Sequence, residues 1–270
     1  MNSPTDIHES PLSQTVKAQL RLRELILAGE LAAADRISEL ALVERLGMSR
    51  TPIRMALVRL QEEGLLEVIP SGGFMVKDFT EADIRDAIEV RGTLEGLAAR
   101  LAAERGASPS ALSELADCLD KIDELLAATS LDIDRFSSYT DLNAYFHRLM
   151  MDLPESRVVT RQIERAVTIP FASPDAFVMV QALTPEGRDI LFVAQQQHRA
   201  VVEAIERREG TRAEAIMREH ARIAQRNLQT ALKNQKTLNM LPGGKLIRRR
   251  GQPPGNTPNA DHIAKHGGVK

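Results

Sequence analysis

The feature that most restricts the fold of this chain is the residue pattern at 38–66, which predicts two short helices joined by a tight turn. Leu40, Val43 and Leu46 repeat at helical spacing and give the first helix an apolar face. Gly47 follows directly, where a left-handed residue ends a helix at little steric cost. This is the layout of a helix-turn-helix, whose second helix enters the DNA major groove.

The second of these helices has a recognisable start and two different faces. Ser49 is expected to cap it, and Pro52 falls in its first turn, where a missing N–H is tolerated. Arg50 and Arg54 are four residues apart and therefore lie one above the other. Arginine at this end of such a helix can donate paired hydrogen bonds to guanine O6 and N7. The apolar stripe on the opposite face consists of Ile53, Leu57 and Leu60.

The stretch after this helix predicts a wing. Residues 65–79 contain two short strand-like runs around a Pro-Ser-Gly-Gly turn. A bare helix-turn-helix pattern also occurs in ordinary helical hairpins, where the arginine face is merely solvated. The wing and the Ser-Arg-Thr-Pro-Ile-Arg string at 49–54 favour the DNA-binding interpretation.

Residues 14–79 resemble the winged helix-turn-helix of the GntR family of bacterial transcription regulators. The similarity covers the first helix at 14–31, the R-x-S-E-x-x-L-x-x-x-L-G string from Arg36 to Gly47, and the glycine pair of the wing. It implies that operator DNA is contacted by arginines, by small polar side chains and by the wing, with Arg45 directed to a backbone phosphate. These residues are Arg36, Arg45, Ser49, Arg50, Thr51, Arg54 and Gly73.

Charge gives no independent support for DNA binding. The formal net charge is −2, and acidic residues outnumber basic ones within the first 80 positions. The prediction therefore depends on where the arginines lie. It requires a bound face that gathers the following arginines, with the acids elsewhere: Arg36, Arg45, Arg50, Arg54 and Arg59.

Length and composition indicate a two-domain globular protein. The chain has 270 residues, 43% of them hydrophobic, and its single cysteine, Cys118, excludes an internal disulfide framework. No apolar run approaches the ~20 residues of a membrane span. The N-terminus lacks the apolar region of a signal peptide. We therefore expect no membrane association and a bacterial, cytoplasmic, nucleoid-associated protein.

The expected fold class is mainly α, a winged helix-turn-helix followed by an antiparallel helical bundle. We place the first domain at 12–79, the second at 80–235 and a disordered tail at 236–270, which is rich in Pro, Gly and basic residues. Residues 1–11 are also expected to be disordered, and 173–187 to be irregular with at most a helical turn. The helices expected in the second domain are 81–104, 109–128, 132–152, 155–169, 186–208 and 211–234.

Three histidines carry the chemical signal of the second domain. His147, His198 and His220 each fall on or beside the inner face of an expected helix. A single buried histidine is more often a core residue with a hydrogen-bond partner. Three imidazoles directed into one bundle indicate a transition-metal site, because neutral histidine suits Zn, Ni, Cu or Fe.

Residues 84–105 and the N-x-x-F-H string at 143–147 resemble the all-helical FCD ligand-binding domain of the FadR-type branch of GntR regulators. The resemblance implies a divalent metal, zinc or nickel, held by one aspartate and three histidines, which helps to bind small carboxylates. Asn143 stands where that aspartate would be. Its carbonyl oxygen can bind a metal but carries no charge. The implied ligands are Asn143, His147, His198 and His220.

Two further residues are candidates for binding an anionic effector. Arg91 matches an arginine common in this branch, but it could equally form a surface pair with Glu95 one turn later. Asn227 follows His220 by one heptad and could project into the same cavity. It could also simply bond a neighbouring helix.

The resulting hypothesis is a repressor that a small carboxylate releases from DNA. A homodimer would present two winged helices to a palindromic operator. A direct metal sensor, a domain that binds a larger ligand such as an acyl thioester without metal, and a three-histidine metalloenzyme are the alternatives. The sequence contains no His-Glu-x-x-His pairing, so we expect no enzyme.

Overall fold

The computed structural model describes residues 11–128, 132–169, 171–182 and 187–248. It divides the chain into two compact units, one formed by residues up to Thr80 together with those from Lys245 onward, the other by Glu81–Gly244. Helices dominate both units, which confirms the predicted mainly α class. None of the helices in the described part of the chain has the length and apolarity that a bilayer crossing requires.

The first unit contains three helices and a small antiparallel sheet. The strands of this sheet lie in the order β1-β3-β2, and the β2–β3 hairpin is the predicted wing. Two glycines in the hairpin turn, Gly72 and Gly73, have φ values of +89° and +94°, which only glycine adopts easily. The elements are α1 (Pro11–Leu27), β1 (Arg36–Ile37), α2 (Glu39–Leu46), α3 (Arg50–Glu62), β2 (Leu66–Val68), β3 (Phe74–Val76) and β4 (Phe79–Thr80).

The turn between α2 and α3 forms largely as the sequence predicts. Gly47 adopts φ +64°, and its N–H donates to the Val43 carbonyl at 3.0 Å. Ser49 occupies the N-cap position of α3, but its side chain makes no capping hydrogen bond. The expected stripe Ile53, Leu57 and Leu60 is buried.

The apolar face expected for α2 is wrong at one position. Leu40 is 54% exposed, whereas Leu42 is buried at 3%. Residues two positions apart in an α-helix are separated by about 200° around its axis, so the side chains of these two leucines point in nearly opposite directions. Helix α2 is only eight residues long, and Leu42 is its one buried residue, so only one narrow side of it faces the interior.

The disordered tail predicted at 236–270 begins too early. Residues 235–248 form α11 (Gln235–Met240), a short 3-10 helix (Gly244–Leu246) and β5 (Ile247–Arg248). β5 pairs in parallel with β4, with Ile247 opposite Phe79. The Pro- and Gly-rich composition conceals four apolar side chains that become buried: Leu238, Leu241, Leu246 and Ile247. The remaining part of this prediction, 249–270, lies outside the described residues, as do residues 1–10 of the disorder predicted at 1–11. Pro11 itself begins α1.

The second unit is a bundle of helices around one large apolar core. A five-residue helix, α8, interrupts the stretch expected to be irregular. Each of the six helices predicted from the sequence has a counterpart in the structure, and the predicted and observed ends differ by at most two residues. In the described residues the elements are α4 (Glu81–Arg105), α5 (Pro109–Ala127), α6 (Ile133–Asp152), α7 (Arg157–Thr168), α8 (Val178–Ala182), α9 (Gly187–Glu206) and α10 (Gly210–Lys233), followed by α11.

Helices α4 and α10 pack at unusually close range because glycine lies at their crossing. A Cβ atom added to Gly92 would stand 2.6 Å from the Cβ of Ala221, and one added to Gly96 would stand 3.1 Å from the Glu214 carbonyl oxygen. Real Cβ atoms do not approach each other to 2.6 Å. The missing side chains therefore allow the two backbones to come together, which brings the inner face of α4 beside His220.

We expect Gly92→Ala to destabilise the protein, although alanine favours a helix by ~1 kcal/mol over glycine. The new methyl group must push α4 and α10 apart, a form of overpacking that costs about 1–3 kcal/mol. Urea unfolding gives the change in free energy. The control is Gly92→Ala combined with Ala221→Gly, which removes the clash and should recover most of the loss. A more stable single variant would contradict this account of the crossing.

Candidate functional site

The outer face of α3 carries two uncommitted cations. Arg50 and Arg54 are exposed, and neither has a hydrogen-bond or ion-pair partner among the residues that the structure describes. Ser49 and Thr51 are exposed at the same end of the helix. This face therefore presents positive charge and hydroxyl groups without competing contacts from its own unit.

A third exposed arginine lies against the wing. The Arg36 Nη2 atom on β1 donates to the carbonyl oxygen of Gly72 at 3.1 Å. Gly73, the next residue of the wing turn, is also exposed. The structure thus brings together the predicted strand arginine and the predicted wing.

Two other arginines do not match the expected free cationic face. Arg45 forms an ion pair with Glu30, so an acid lies beside it. Arg59 donates from Nη1 to Gln19 Oε1 at 3.3 Å and packs toward α1. It follows Arg54 by five residues, about 140° around the helix, so it cannot share that face. The prediction that five arginines share one face with the acids elsewhere is therefore wrong for Arg45, which has an acid beside it, and for Arg59, which lies on another face.

The three predicted histidines meet inside the helical unit. His147 on α6, His198 on α9 and His220 on α10 are all buried. The Nε2 atoms of His198 and His220 are 3.1 Å apart, and those of His220 and His147 are 3.3 Å apart. Three helices distant in sequence therefore direct the same ring atom to one point.

The other nitrogen of each ring faces a side-chain oxygen. A carboxylate or amide oxygen can only accept a hydrogen bond here, so each ring donates from Nδ1 and keeps an unprotonated Nε2. The amide of Gln195 is itself fixed, because its Nε2 donates to Leu119 O and Asp123 Oδ1, both at 2.9 Å. The Nδ1 contacts are His147 to Glu95 Oε1 at 3.1 Å, His198 to Gln195 Oε1 at 3.2 Å, and His220 to Gln197 Oε1 at 3.2 Å.

This arrangement of neutral rings suits a metal ion. Burial, reinforced by His147, lowers the pKa of His220 to about 3, and burial lowers the pKa of His198 well below its ordinary value. Three Nε2 lone pairs then face one another, and a bound cation would remove the repulsion between them. Tetrahedral zinc with Zn–N bonds of ~2.05 Å would separate its ligand nitrogens by ~3.3 Å, close to the distances observed. The residues present therefore fit a divalent metal.

A buried ion pair supports this cluster. Arg91 Nη1 donates to Glu95 Oε2 at 2.9 Å, and the two residues are 1% and 6% exposed. Burial alone would raise the pKa of Glu95, but Arg91 and His147 outweigh it and lower the pKa to about 2. The Arg91–Glu95 pair, which the sequence analysis considered as a surface contact, therefore lies in the interior. Sequence reasoning did not connect Glu95 to His147, although its spacing from Arg91 and the neighbouring glycines would have suggested an inward position.

Asn143 lies one turn before His147 and is held by an acid that the sequence did not indicate. Its Nδ2 donates to Asp175 Oδ1 at 2.7 Å, which leaves the amide oxygen as the free atom. Burial raises the pKa of Asp175, although the Asn143 hydrogen bond acts in the opposite direction. Asp175 belongs to the stretch expected to be irregular, where helical periodicity gives no direction for a side chain.

A cavity of about 30 Å³ adjoins His220. Arg91, Asn143, His220 and Asn227 contribute to its walls. The structure therefore brings both predicted effector residues, Arg91 and Asn227, to the space beside the metal-ligand candidates.

Comparison with known proteins matches each unit to a family. Residues 12–76 match the profile of "Bacterial regulatory proteins, gntR family", and residues 86–222 match that of the FCD domain. Among similar proteins is the regulator McbR of Escherichia coli, 33% identical over 113 residues, which are 42% of this chain and 51% of McbR. A probable D-xylose utilization operon transcriptional repressor of Paenarthrobacter nicotinovorans is 29% identical over 217 residues, covering 76% of this chain and 85% of the repressor.

The matched length differs among these relatives. An uncharacterized regulator of Bacillus subtilis, YdhC, is 28% identical over 144 residues, which are 53% of this chain and 62% of YdhC. For several of the relatives, this chain spans only about half of their length.

Solved structures share the fold. Escherichia coli McbR/YncC superposes with a TM-score of 0.55 at 20% identity, covering 82% of this chain and 97% of that one. The protein Lar, which controls the agr system of Listeria monocytogenes, gives a TM-score of 0.55 at 16% identity, covering 84% and 99%.

We expect Glu95→Ala to lower the free energy of unfolding by about 3–5 kcal/mol, because it leaves the Arg91 guanidinium buried without its anion. Glu89→Ala on the same helix is the matched control. It removes a partly exposed carboxylate 3.5 Å from Arg218, and the loss should stay below ~1 kcal/mol. Urea unfolding followed by circular dichroism measures both. Equal losses would contradict a buried role for Glu95.

Proposed function

The chain belongs to the GntR family of bacterial transcriptional regulators with an FCD domain, and on that premise we propose that it is a repressor controlled by a small carboxylate. The family consists of regulators rather than enzymes, so the three histidines do not indicate a metalloenzyme. The observation that carries the proposal is the convergence of three Nε2 atoms beside a buried arginine.

We propose that DNA is recognised by the face of α3 that carries Arg50 and Arg54. Arg50 and Arg54 would read base edges in the major groove, and Ser49 and Thr51 would bind phosphates or bases. Because the net charge of the chain is negative, the affinity for DNA would come from these few arginines on the bound face rather than from a general attraction between the protein and the phosphates.

The wing and the end of α2 would fix the register. Arg36 and Gly73 would contact the backbone from the wing side. Arg45 would bind a phosphate by exchanging its present partner, Glu30. A homodimer with two-fold symmetry would match a palindromic operator, since each half-site would meet one winged helix.

The metal would be zinc or nickel, held by His147, His198 and His220 through Nε2 and by the amide oxygen of Asn143. Glu95, Gln195 and Gln197 would keep the rings in the required tautomer. When bound, the metal would act as a Lewis acid for an effector oxygen.

The electrostatic balance supports an anionic effector. The charges of Arg91 and Glu95 cancel, so even with Asp175 ionised a divalent cation leaves the site with excess positive charge. Arg91 would hold the effector carboxylate, and Asn227 would offer a neutral hydrogen bond from the opposite wall. Coupling of effector and operator binding would be worth ~1–3 kcal/mol, which is typical of allosteric proteins.

A direct metal sensor is the second candidate. It is favoured by one observation, that every Nδ1 contact of the histidine cluster is complete without an effector. Titration of operator binding against zinc or nickel, with and without carboxylates, separates the two. A metal sensor responds to the metal alone.

We expect Arg50→Ala and Arg54→Ala each to weaken DNA binding by about 1–3 kcal/mol and to relax the base preference at one position. The probe is duplex DNA selected from a random pool by the wild-type protein, and fluorescence anisotropy gives the affinity. Arg21→Ala on α1, which removes an exposed arginine paired with Glu24, is the control and should change little. Unchanged binding by the double variant Arg50→Ala/Arg54→Ala would refute this interface.

We expect untagged wild-type protein to carry one transition-metal ion per chain, and His220→Ala to lose it, because one of three imidazole ligands is gone. Gln197→Leu removes only the acceptor behind His220, so affinity should fall by ~10–100-fold. Elemental analysis and the visible spectrum of cobalt-substituted protein are the readouts. Equal cobalt spectra for wild type and His220→Ala would contradict the proposed ligand set.

A further inference from the structure

Two buried polar atoms in the helical unit lack a hydrogen-bond partner among the described residues. They are Arg91 Nε and Gln181 Oε1, and both residues are at least nine-tenths buried. Both line the same cavity beside His220. Leaving such a group without a partner is energetically costly, so two of them at one cavity call for a bound water or a ligand there.

The two atoms require different hydrogen-bond partners. Arg91 Nε is a donor on a cation and suits a carboxylate oxygen, whereas its Nη1 is already used by Glu95. Gln181 Oε1 is an acceptor and needs an O–H or N–H group. An ionised carboxylate has no proton to donate, so a simple acid can satisfy Arg91 but not Gln181. The ligand must also carry a donor.

A hydroxyl fits this second position better than an ammonium group. An ammonium brings three N–H donors, while Gln181 Oε1 is the one fully buried acceptor without a partner among the described residues of this wall, and the Asn143 oxygen is assigned to the metal. An ammonium would also lie beside the cationic Arg91. A hydroxyl brings one proton and no charge. The cavity, about 30 Å³, has room for a water or two, so the smallest acids require the least separation of its walls.

We propose that the effector is a small hydroxycarboxylate, with its carboxylate on Arg91 and its hydroxyl donating to Gln181. This inference rests on the proposed function, since it names the chemistry of the same effector site. Gln181 on α8 is thereby a specificity-determining residue, a role for which the sequence offered no signal.

The test compares acids that differ only in the hydroxyl group. Propionate is paired with lactate, and succinate with malate, on the full metal-loaded chain. Calorimetry gives the dissociation constants, and anisotropy gives release from the selected DNA. We expect at least one hydroxy acid to bind at least tenfold more tightly than its partner, because the simple acid leaves Gln181 unsatisfied.

The matched variants are Gln181→Met and Gln196→Met. Methionine keeps the length of glutamine but lacks the acceptor, so Gln181→Met should reduce the hydroxyl preference to about twofold or less without weakening the simple acid. Gln196 is exposed on α9, and its variant should keep the full preference. The wild-type comparison stands without either variant, so a misfolded Gln181→Met would not remove the test.

The outcomes separate the two levels of the proposal. If none of the four acids binds, the carboxylate-controlled repressor itself is refuted. If acids bind but the hydroxyl brings no preference, or if Gln181→Met keeps that preference, only the hydroxycarboxylate assignment is overturned. Tighter binding of alanine than of lactate would also overturn it, in favour of an amino acid.

Discussion

The buried carboxylate of Glu95 is the interaction on which the helical unit depends. One oxygen accepts from Arg91 and the other faces Nδ1 of His147, so a single side chain joins Arg91 to the histidine cluster. A charge with only 6% exposure survives there because both neighbours favour its ionised form. Its position follows from the glycine crossing of α4 and α10. A bulkier residue at Gly92 would move Arg91 and Glu95 away from His220.

Local patterns predicted much of the fold. Gly47 and the stripe of Ile53, Leu57 and Leu60 follow from spacing within one segment, and the three histidines could be placed inward by helical period alone. Leu40 shows the limit of this method, because a short helix buries whichever side its neighbour covers. The start of the tail was missed for a related reason. Ile247 is ordered by pairing with a strand more than 160 residues earlier in the chain, which composition cannot reveal.

The supporting residues of the site were beyond sequence reasoning for a different cause. Gln195 and Gln197 both precede His198 on α9 but serve different rings, a division that depends on how α9 packs against its neighbours. Asp175 lies in a segment without periodicity, yet it stands one hydrogen bond from Asn143. The carboxyl group that the family resemblance implies at position 143 is therefore absent from that side chain, and Asp175 supplies a carboxyl group next to it.

The pairing of β4 with β5 makes the winged unit discontinuous in sequence. Its first 80 residues are completed by a strand that follows the whole helical bundle. A fragment ending at residue 79, the boundary that the sequence suggests, would lack that strand and would uncover Phe79, which is 3% exposed in the full chain. The helical unit is thus inserted into the sequence of the winged unit. A variant that contains only one of the two units requires the chain to be cut at two positions.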